Sequence, residues 1–457
     1  MPDYQIPVQK INHQFTHYNL VKNGRGKIWN DYLNNYSLDI DVQKASGTFQ
    51  TGYYNSVYMD VTNVVAKLEP KNANLKTTNS ILLNCHFDAF PGSLGATDDF
   101  VNCVSILEVI EVVYKYGGSV LQNPIVCLFN GAEEIGLGGS HGFVAAKNGI
   151  GHPWSKNLKG FINLDAIGAG GREILFQTAG GNNWLLKSYA KAAKHPFASV
   201  LGEEAFEFGL IAAGTDFKIF MKFGSIPGLD MAFIENGWVY HTKLDNVAEV
   251  SPGSIQHLGD NLLGLVEHIG NLDFESVQTE NIETTSIFFD VFGLFVVYYT
   301  KPVGIWINVV VAATFISIAF QDIESSWNWR PSIKIKKRVS IMLLSSVVAW
   351  SAAVGAGALS GAFLNLLGYY RPFHSYPYLA IILFGLPAVL AQILTYSMIF
   401  EGSQKKSWLA GKFTFAILLL FVSFVIRSAY VLAIEVIFAT FALMSRRLLV
   451  KSKHHRI

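Results

Sequence analysis

Residues 303–320 (VGIWINVVVAATFISIAF), about 339–368, and 377–400 each hold 18 or more mostly apolar residues, with Arg338 and Arg371 only at their flanks. As helices, such runs are long enough to cross about 30 Å of hydrocarbon. Placed back to back and bounded by Lys/Arg and Trp/Tyr, they read as membrane spans rather than buried core helices. Residues 413–444 form a further apolar stretch, interrupted by Arg427 and Glu435, which reads either as one long tilted span or as a tight hairpin of two. The expected membrane region is therefore 303–457, with about four spans.

The formal charge of +1 conceals a division at residue 285: Lys and Arg number 19 against 29 Asp and Glu before it, and 16 against 5 after it. The basic residues flank the apolar runs and form no stripe interleaved with exposed aromatics, so nucleic acid is excluded as a partner and membrane lipid is expected. A composition of 51% hydrophobic and 15% charged residues excludes a disordered or low-complexity chain. Cys85, Cys103 and Cys127 each lie in an apolar run and read as buried thiols. Asn35-Tyr36-Ser37 is an N-glycosylation sequon.

Before residue 280 the pattern changes to short apolar strands alternating with helical segments, the mark of a soluble α/β domain. Strands are expected at Asn63 to Leu68, Ile81 to Cys85, Ile125 to Phe129, Phe161 to Leu164 and Met231 to Ile234. Cys103, Ile106, Leu107, Ile110 and Val113 recur at helical spacing, predicting a helix over Val101 to Tyr116. The expected domain is 1–280, with its core about 15–275, followed by a linker over 281–302.

Acidic and imidazole side chains collect at the ends of those strands. Ile81 to Cys85 runs into His86-Phe87-Asp88, and a loop ending in GATDD presents Asp98 and Asp99. Ile125 to Phe129 leads to Glu133-Glu134, Phe161 to Leu164 ends at Asp165, and His241 follows much later. Ligands of open α/β sheets bind beyond the carboxyl ends of strands, so these segments can converge on one crevice. Taken singly each has a plain structural reading: Asp98-Asp99 as a helix cap, Glu133-Glu134 as a solvated turn, His241 as a surface histidine. Taken together, packed carboxylates repel unless a cation offsets them. Oxygen ligands with two imidazoles and no thiolate cluster suit Zn²⁺ or a similar ion, and a bridging carboxylate would allow two.

The order NCHFDAF, GATDD, NGAEEIGLGGS, NLDAIGAGG and YHTKLDN resembles the co-catalytic zinc aminopeptidase and carboxypeptidase family. With the apolar C-terminal spans and the FFDVFGLF entry, the chain resembles its membrane-bound endoplasmic reticulum metallopeptidase branch. The resemblance implies a zinc-exopeptidase-like mixed sheet sandwiched by helices, then a multi-span α-helical membrane region. It makes His86 and Asp165 ligands of one zinc, Glu134 and His241 ligands of the other, and Asp98 the bridge. Glu133 becomes the general base, Asp88 orients His86, and Asp99 supports the bridge. Asp216, in GTDFKIF, falls in a stretch that often lines the substrate pocket.

The implied function is a membrane-anchored, zinc-dependent exopeptidase of aminopeptidase type, acting on peptide ends. Its implied place is the endoplasmic reticulum membrane, with the peptidase domain lumenal. The alternative is a catalytically silent scaffold on the same fold, although relatives of that kind lose ligands that this chain keeps. A transporter, or a one-zinc glutaminyl cyclase, fits the spans and ligands less well. The branch normally opens with a transmembrane anchor, and Met1 to Phe15 has no apolar run, so an upstream anchor is expected in a full-length transcript.

Overall fold

The computed structural model describes residues 35–51, 54–71, 78–116, 121–145, 151–178, 184–211, 213–277, 285–326, 333–369, 378–400 and 404–454. The start of the expected core, about 15–34, lies outside them. Two compact units divide at residues 298 and 299.

The first unit is built on a seven-stranded mixed sheet. Its strands are β1 (Tyr36–Thr51), β2 (Tyr54–Pro70), β3 (Ser80–His86), β4 (Ile125–Asn130), β5 (Leu158–Ala166), β6 (Ile174–Thr178) and β7 (Gly228–Phe233), in the order β1-β2-β4-β3-β5-β7-β6. The four central strands β4-β3-β5-β7 are parallel, and antiparallel strands flank them on both sides. Every residue of β3 and of β4 is buried, as expected for near-continuous apolar runs in a parallel sheet covered on both faces. All five expected strands are present; β1 and β6, which flank the sheet, are added to them.

Alternation along β3 places Leu82, Asn84 and His86 on one face and Ile81, Leu83 and Cys85 on the other. The helix Val101–Tyr116 forms as expected, burying Cys103, Ile106, Ile110 and Val113, and it packs against the helix Pro252–Ile269. The opposite face is closed by Phe143 of the helix Gly138–Val144 and by Phe217 and Phe220, which join Leu82, Val126 and Phe161 in one apolar cluster. Cys85 and Cys103 form a disulfide, while Cys127 is a free, buried thiol. The expectation of three thiols is thus corrected: Cys85 projects from β3 toward the helix that carries Cys103, and the two Cα atoms are 5.4 Å apart.

Within the stretch expected as a linker, β8 (Ser286–Val291) and β9 (Phe295–Thr300) pair as a separate two-stranded sheet. An isolated bridge from Ser199 to Phe289 fastens β8 to the domain.

The second unit is helical. Among the described residues, four helices are long and apolar enough to cross a membrane: Lys301–Gln321, Ser340–Leu366, Ile381–Ile399 and Arg427–Arg447. Residues 413–444 divide between two helices, Gln404–Val422 and Tyr430–His454, so the stretch is a hairpin rather than one continuous span. Its turn lies beside the start of the first span, where Lys301 Nζ donates to the Val425 carbonyl at 3.4 Å and Asn308 donates to Ser423 Oγ at 2.9 Å. Its far end lies beside the end of that span, where Arg447 donates to Gln321 Oε1 at 2.8 Å and to the Ile318 carbonyl at 2.6 Å. Lys412 and Glu435 pair across the hairpin.

Candidate metal centre

The chain runs from β3 to β4 on one side and later to β5 on the other, so the loops leaving β3 and β5 part and open a crevice at their carboxyl ends. Register pairs Asn84 with Asn163 and His86 with Asn130, bringing His86 and Asp165 to the same rim. The other expected residues arrive on loops.

Asp98 joins the two imidazoles. Its Oδ1 lies 3.3 Å from His86 Nε2 and its Oδ2 lies 3.2 Å from His241 Nε2. Glu134 Oε2 is 2.9 Å from the same His241 nitrogen. Around His86 Nε2, Asp165 Oδ1 stands at 3.9 Å and Glu133 Oε2 at 4.0 Å. All five residues expected as ligands, and Glu133, therefore meet. His241 takes a left-handed backbone (φ 58°), a strained choice for a side chain of its size, and its ring stacks on Phe90 at 4.2 Å.

Asp88 has a different contact from the one expected. The His86 Nδ1 partner is the Asp88 backbone carbonyl, at 3.1 Å, with the carboxylate 3.7 Å away. That carboxylate accepts instead from the backbone amides of Glu133 and Glu134, at 3.1 and 3.3 Å. Asp99 is fully buried, accepting from the His86 amide at 3.2 Å and from Asn102. His86, Asp98 and Asp99 form one group of close ligand atoms, and Asp98, Glu134 and His241 another. Asp165 rather than Asp99 lines the cavity, so Asp165 is the better placed of the two to reach a bound ion.

The electrostatics follow from crowding. Burial opposes charge on His86, but the carboxylates of Glu133, Asp165, Asp88 and Asp98 hold its pKa well above the usual range. Burial, then repulsion from Asp165, Asp216 and Asp98, pushes Glu133 well above the carboxylate range. Burial and Asp98 push Glu134 up to about 7. Such a cluster holds protons unless a cation replaces them. The residues fit a divalent ion: Glu134 Oε1 is buried without a hydrogen-bond partner among the described residues, His241 Nε2 faces two carboxylate oxygens at once, and the donors are the nitrogen and oxygen atoms zinc accepts.

Sequence reasoning missed two supports. Asp245 is fully buried and accepts from the Thr97 and Asp98 amides at 2.7 and 3.1 Å and from Thr97 Oγ1 at 2.6 Å, pinning the Asp98 loop to the loop of His241. Beneath the ligands runs a row of buried polar side chains. Asn130 and Asn84 both donate to Asp216, Asn84 also donates to Asn163, and Asn163 donates to Asp230. Asp216 itself is 1% exposed, while Gly214, Thr215 and Lys218 of the same stretch line the cavity, as expected of that stretch. The signal was present as an Asn two residues before His86 and another two before Asp165, on the same strand faces.

A cavity of about 710 Å³ opens from the cluster, lined by Asp98, Glu133, Glu134, Asp165 and His241 at one end. Ile167, Phe176, Phe206 and Ile234 form apolar walls.

Residues 63–266 match the model of peptidase family M28. The chain is similar to endoplasmic reticulum metallopeptidase 1 of Homo sapiens, 37% identical over 367 residues, covering 79% of this chain and 39% of that protein. It is also similar to putative endoplasmic reticulum metallopeptidase 1-A of Caenorhabditis elegans, 43% identical over 297 residues, covering 64% of this chain and 32% of that one. A vacuolar membrane protease of Yarrowia lipolytica is 34% identical over 241 residues, or 52% of this chain and 23% of its own length. The chain thus spans well under half the length of these curated relatives. Among solved structures, a zinc aminopeptidase from Bacillus subtilis aligns at 21% identity with a TM-score of 0.36, over 48% of this chain and 53% of that one.

Proposed function

We propose that this chain, whose residues 63–266 place it in peptidase family M28, is a membrane-anchored exopeptidase with two zinc ions. The carrying observation is the division of the Asp98 carboxylate between His86 and His241, at 3.3 and 3.2 Å, which is what a carboxylate shared by two ions requires. His86 and Asp165 would hold one ion, and Glu134 and His241 the other.

Zinc held by these residues would acidify an attacking water and polarise the scissile carbonyl. Glu133 stands beside the ligands, accepts the proton of the attacking water and returns it to the leaving amine. Asp88 sets the Glu133-Glu134 turn through its backbone amides, and Asp245 sets Asp98. The apolar walls take an uncharged side chain of the terminal residue. The domain faces the lumen of the endoplasmic reticulum, where the exposed Asn35 is a glycosylation acceptor.

Metal analysis of the purified full chain tests this reading. Saturating zinc should load two ions, and Asp98→Ala should retain at most one. One ion or fewer in the unaltered chain would remove the shared-carboxylate mechanism.

A further inference from the structure

The turn between β8 and β9 exposes apolar side chains to an unusual degree. Phe292 is 92% exposed, Leu294 75% and Phe295 52%, on consecutive positions broken only by Gly293. We propose that this turn rests in the headgroup region of the bilayer that the first span enters, so that lipid is its partner.

The turn is rigid, which removes the explanation of a loose tip. Leu294 N donates to the Val291 carbonyl at 3.0 Å, closing a four-residue turn. Asp290 Oδ2 accepts from Gly293 N at 2.8 Å, while Asp290 Oδ1 accepts from Ala198 N at 3.1 Å and the Asp290 amide donates back to Ala198 O at 3.0 Å.

Turn chemistry argues against these residues. Phe292 and Gly293 both have positive φ, 53° and 71°. A turn with two positive φ values favours Asn, Asp or Gly at the first of them, because a bulky side chain there is strained. Phe292 instead combines backbone strain with an almost fully hydrated aromatic ring, two costs that a polar residue would remove. A contact outside the domain accounts for both.

Chain length and charge select lipid as that contact. Residues 291–300 (VFGLFVVYYT) carry no charge, and six positions separate Phe295 from Lys301, where the first span begins. An extended strand covers at most about 20 Å in that distance. The chain therefore tethers the turn within reach of the interface where the first span enters. Aromatic and aliphatic tips of this kind are stabilised at the headgroup boundary, where Tyr298, 40% exposed on the same strand, is also favoured.

The test uses the full chain in phosphatidylcholine and phosphatidylserine vesicles, with an environment-sensitive fluorophore on Leu294→Cys. Phe292→Cys serves as a second reporter, and Val57→Cys, 75% exposed on β2, as the solvated control. An unchanged unfolding midpoint identifies variants that retain the fold. The expected result is blue-shifted emission at both turn positions, with quenching by nitroxide-labelled lipid several-fold stronger than at Val57 and weak quenching by iodide. Iodide quenching equal to that at Val57 would overturn the proposal. So would shielding from both quenchers, because protein rather than lipid would then cover the turn.

Discussion

Asp88 holds Glu133 by its backbone: the Asp88 Oδ1 atom accepts the Glu133 amide at 3.1 Å, and the neighbouring oxygen accepts that of Glu134 at 3.3 Å. One carboxylate therefore fixes the starting point of both the proposed base and a proposed ligand. Asp88→Ala is expected to weaken zinc binding by about 10- to 100-fold, as loss of such supporting contacts does elsewhere, and to lower kcat as well. Asp88→Asn, which keeps one acceptor oxygen, should fall between the two. Zinc titration alongside steady-state kinetics measures both, and wild-type zinc affinity in Asp88→Ala would show that the turn holds without it.

Glu133→Gln should lower kcat by about 10²- to 10⁴-fold, the usual range for loss of a proton-transfer group, while zinc content stays unchanged. The amide keeps the volume of the side chain and cannot accept the proton. Glu134→Ala should instead release metal. Turnover near wild type in the purified Glu133→Gln protein would assign the base elsewhere.

Asp216 gives the domain a pH dependence of its own. Burial raises its pKa from 3.8 to about 6, only partly offset by a hydrogen bond from Ser140, by the charge of His86 and by the hydrogen bonds from Asn84 and Asn130. The folded state thus binds this proton more tightly than the unfolded chain. The stabilisation is fully present below about pH 4 and is lost as pH rises to about 6, a change of about 3 kcal/mol. Asp216→Asn keeps an acceptor oxygen and has no charge to bury, so it should match wild type near pH 4 and unfold at higher temperature than wild type at pH 7. Thermal unfolding across that range decides it, and a variant less stable at pH 7 would mean that the fold uses the ionised form.

The contacts of Lys301 with Val425 and of Arg447 with Gln321 give the last helix the same direction as the first span. The ends of these two helices then share a side, and the basic residues that follow them in sequence, Lys334, Lys336, Lys337 and Arg338 after the first span and Lys451 and Lys453 in the last helix, are expected to make it cytosolic. On the lumenal placement proposed above, residues 1–285 are expected across the membrane from them. In a glycosylation scan Asn35 should be modified and an acceptor placed after His454 should not; the reverse pattern would invert the arrangement.

The central strands were legible because β3 and β4 are buried on both faces and so read as unbroken apolar runs. β1 was not, since along its length exposed and partly buried residues such as Val42 and Gln43 interrupt the apolar signal. The ligands could be read from their positions at strand ends. Asp245 could not, because its work depends on two loops, 147 residues apart in sequence, meeting in space. The pairing of Cys85 with Cys103 was hidden for a related reason: a thiol and a half-cystine leave the same apolar surroundings in the sequence. The break at 423–426 was half visible, as Arg427 marked where one span could not continue.

That disulfide closes a ring, and the ring contains His86, Asp88, Asp98 and Asp99. Closing a loop of 18 residues removes roughly 3 kcal/mol worth of freedom from the unfolded chain, most of it from the segment that must present these side chains. The bond persists where thiols are oxidised and is rare where glutathione keeps them reduced. The ordering of these four side chains is therefore expected to depend on the redox state of the pair, since reduction would return them to an open tether.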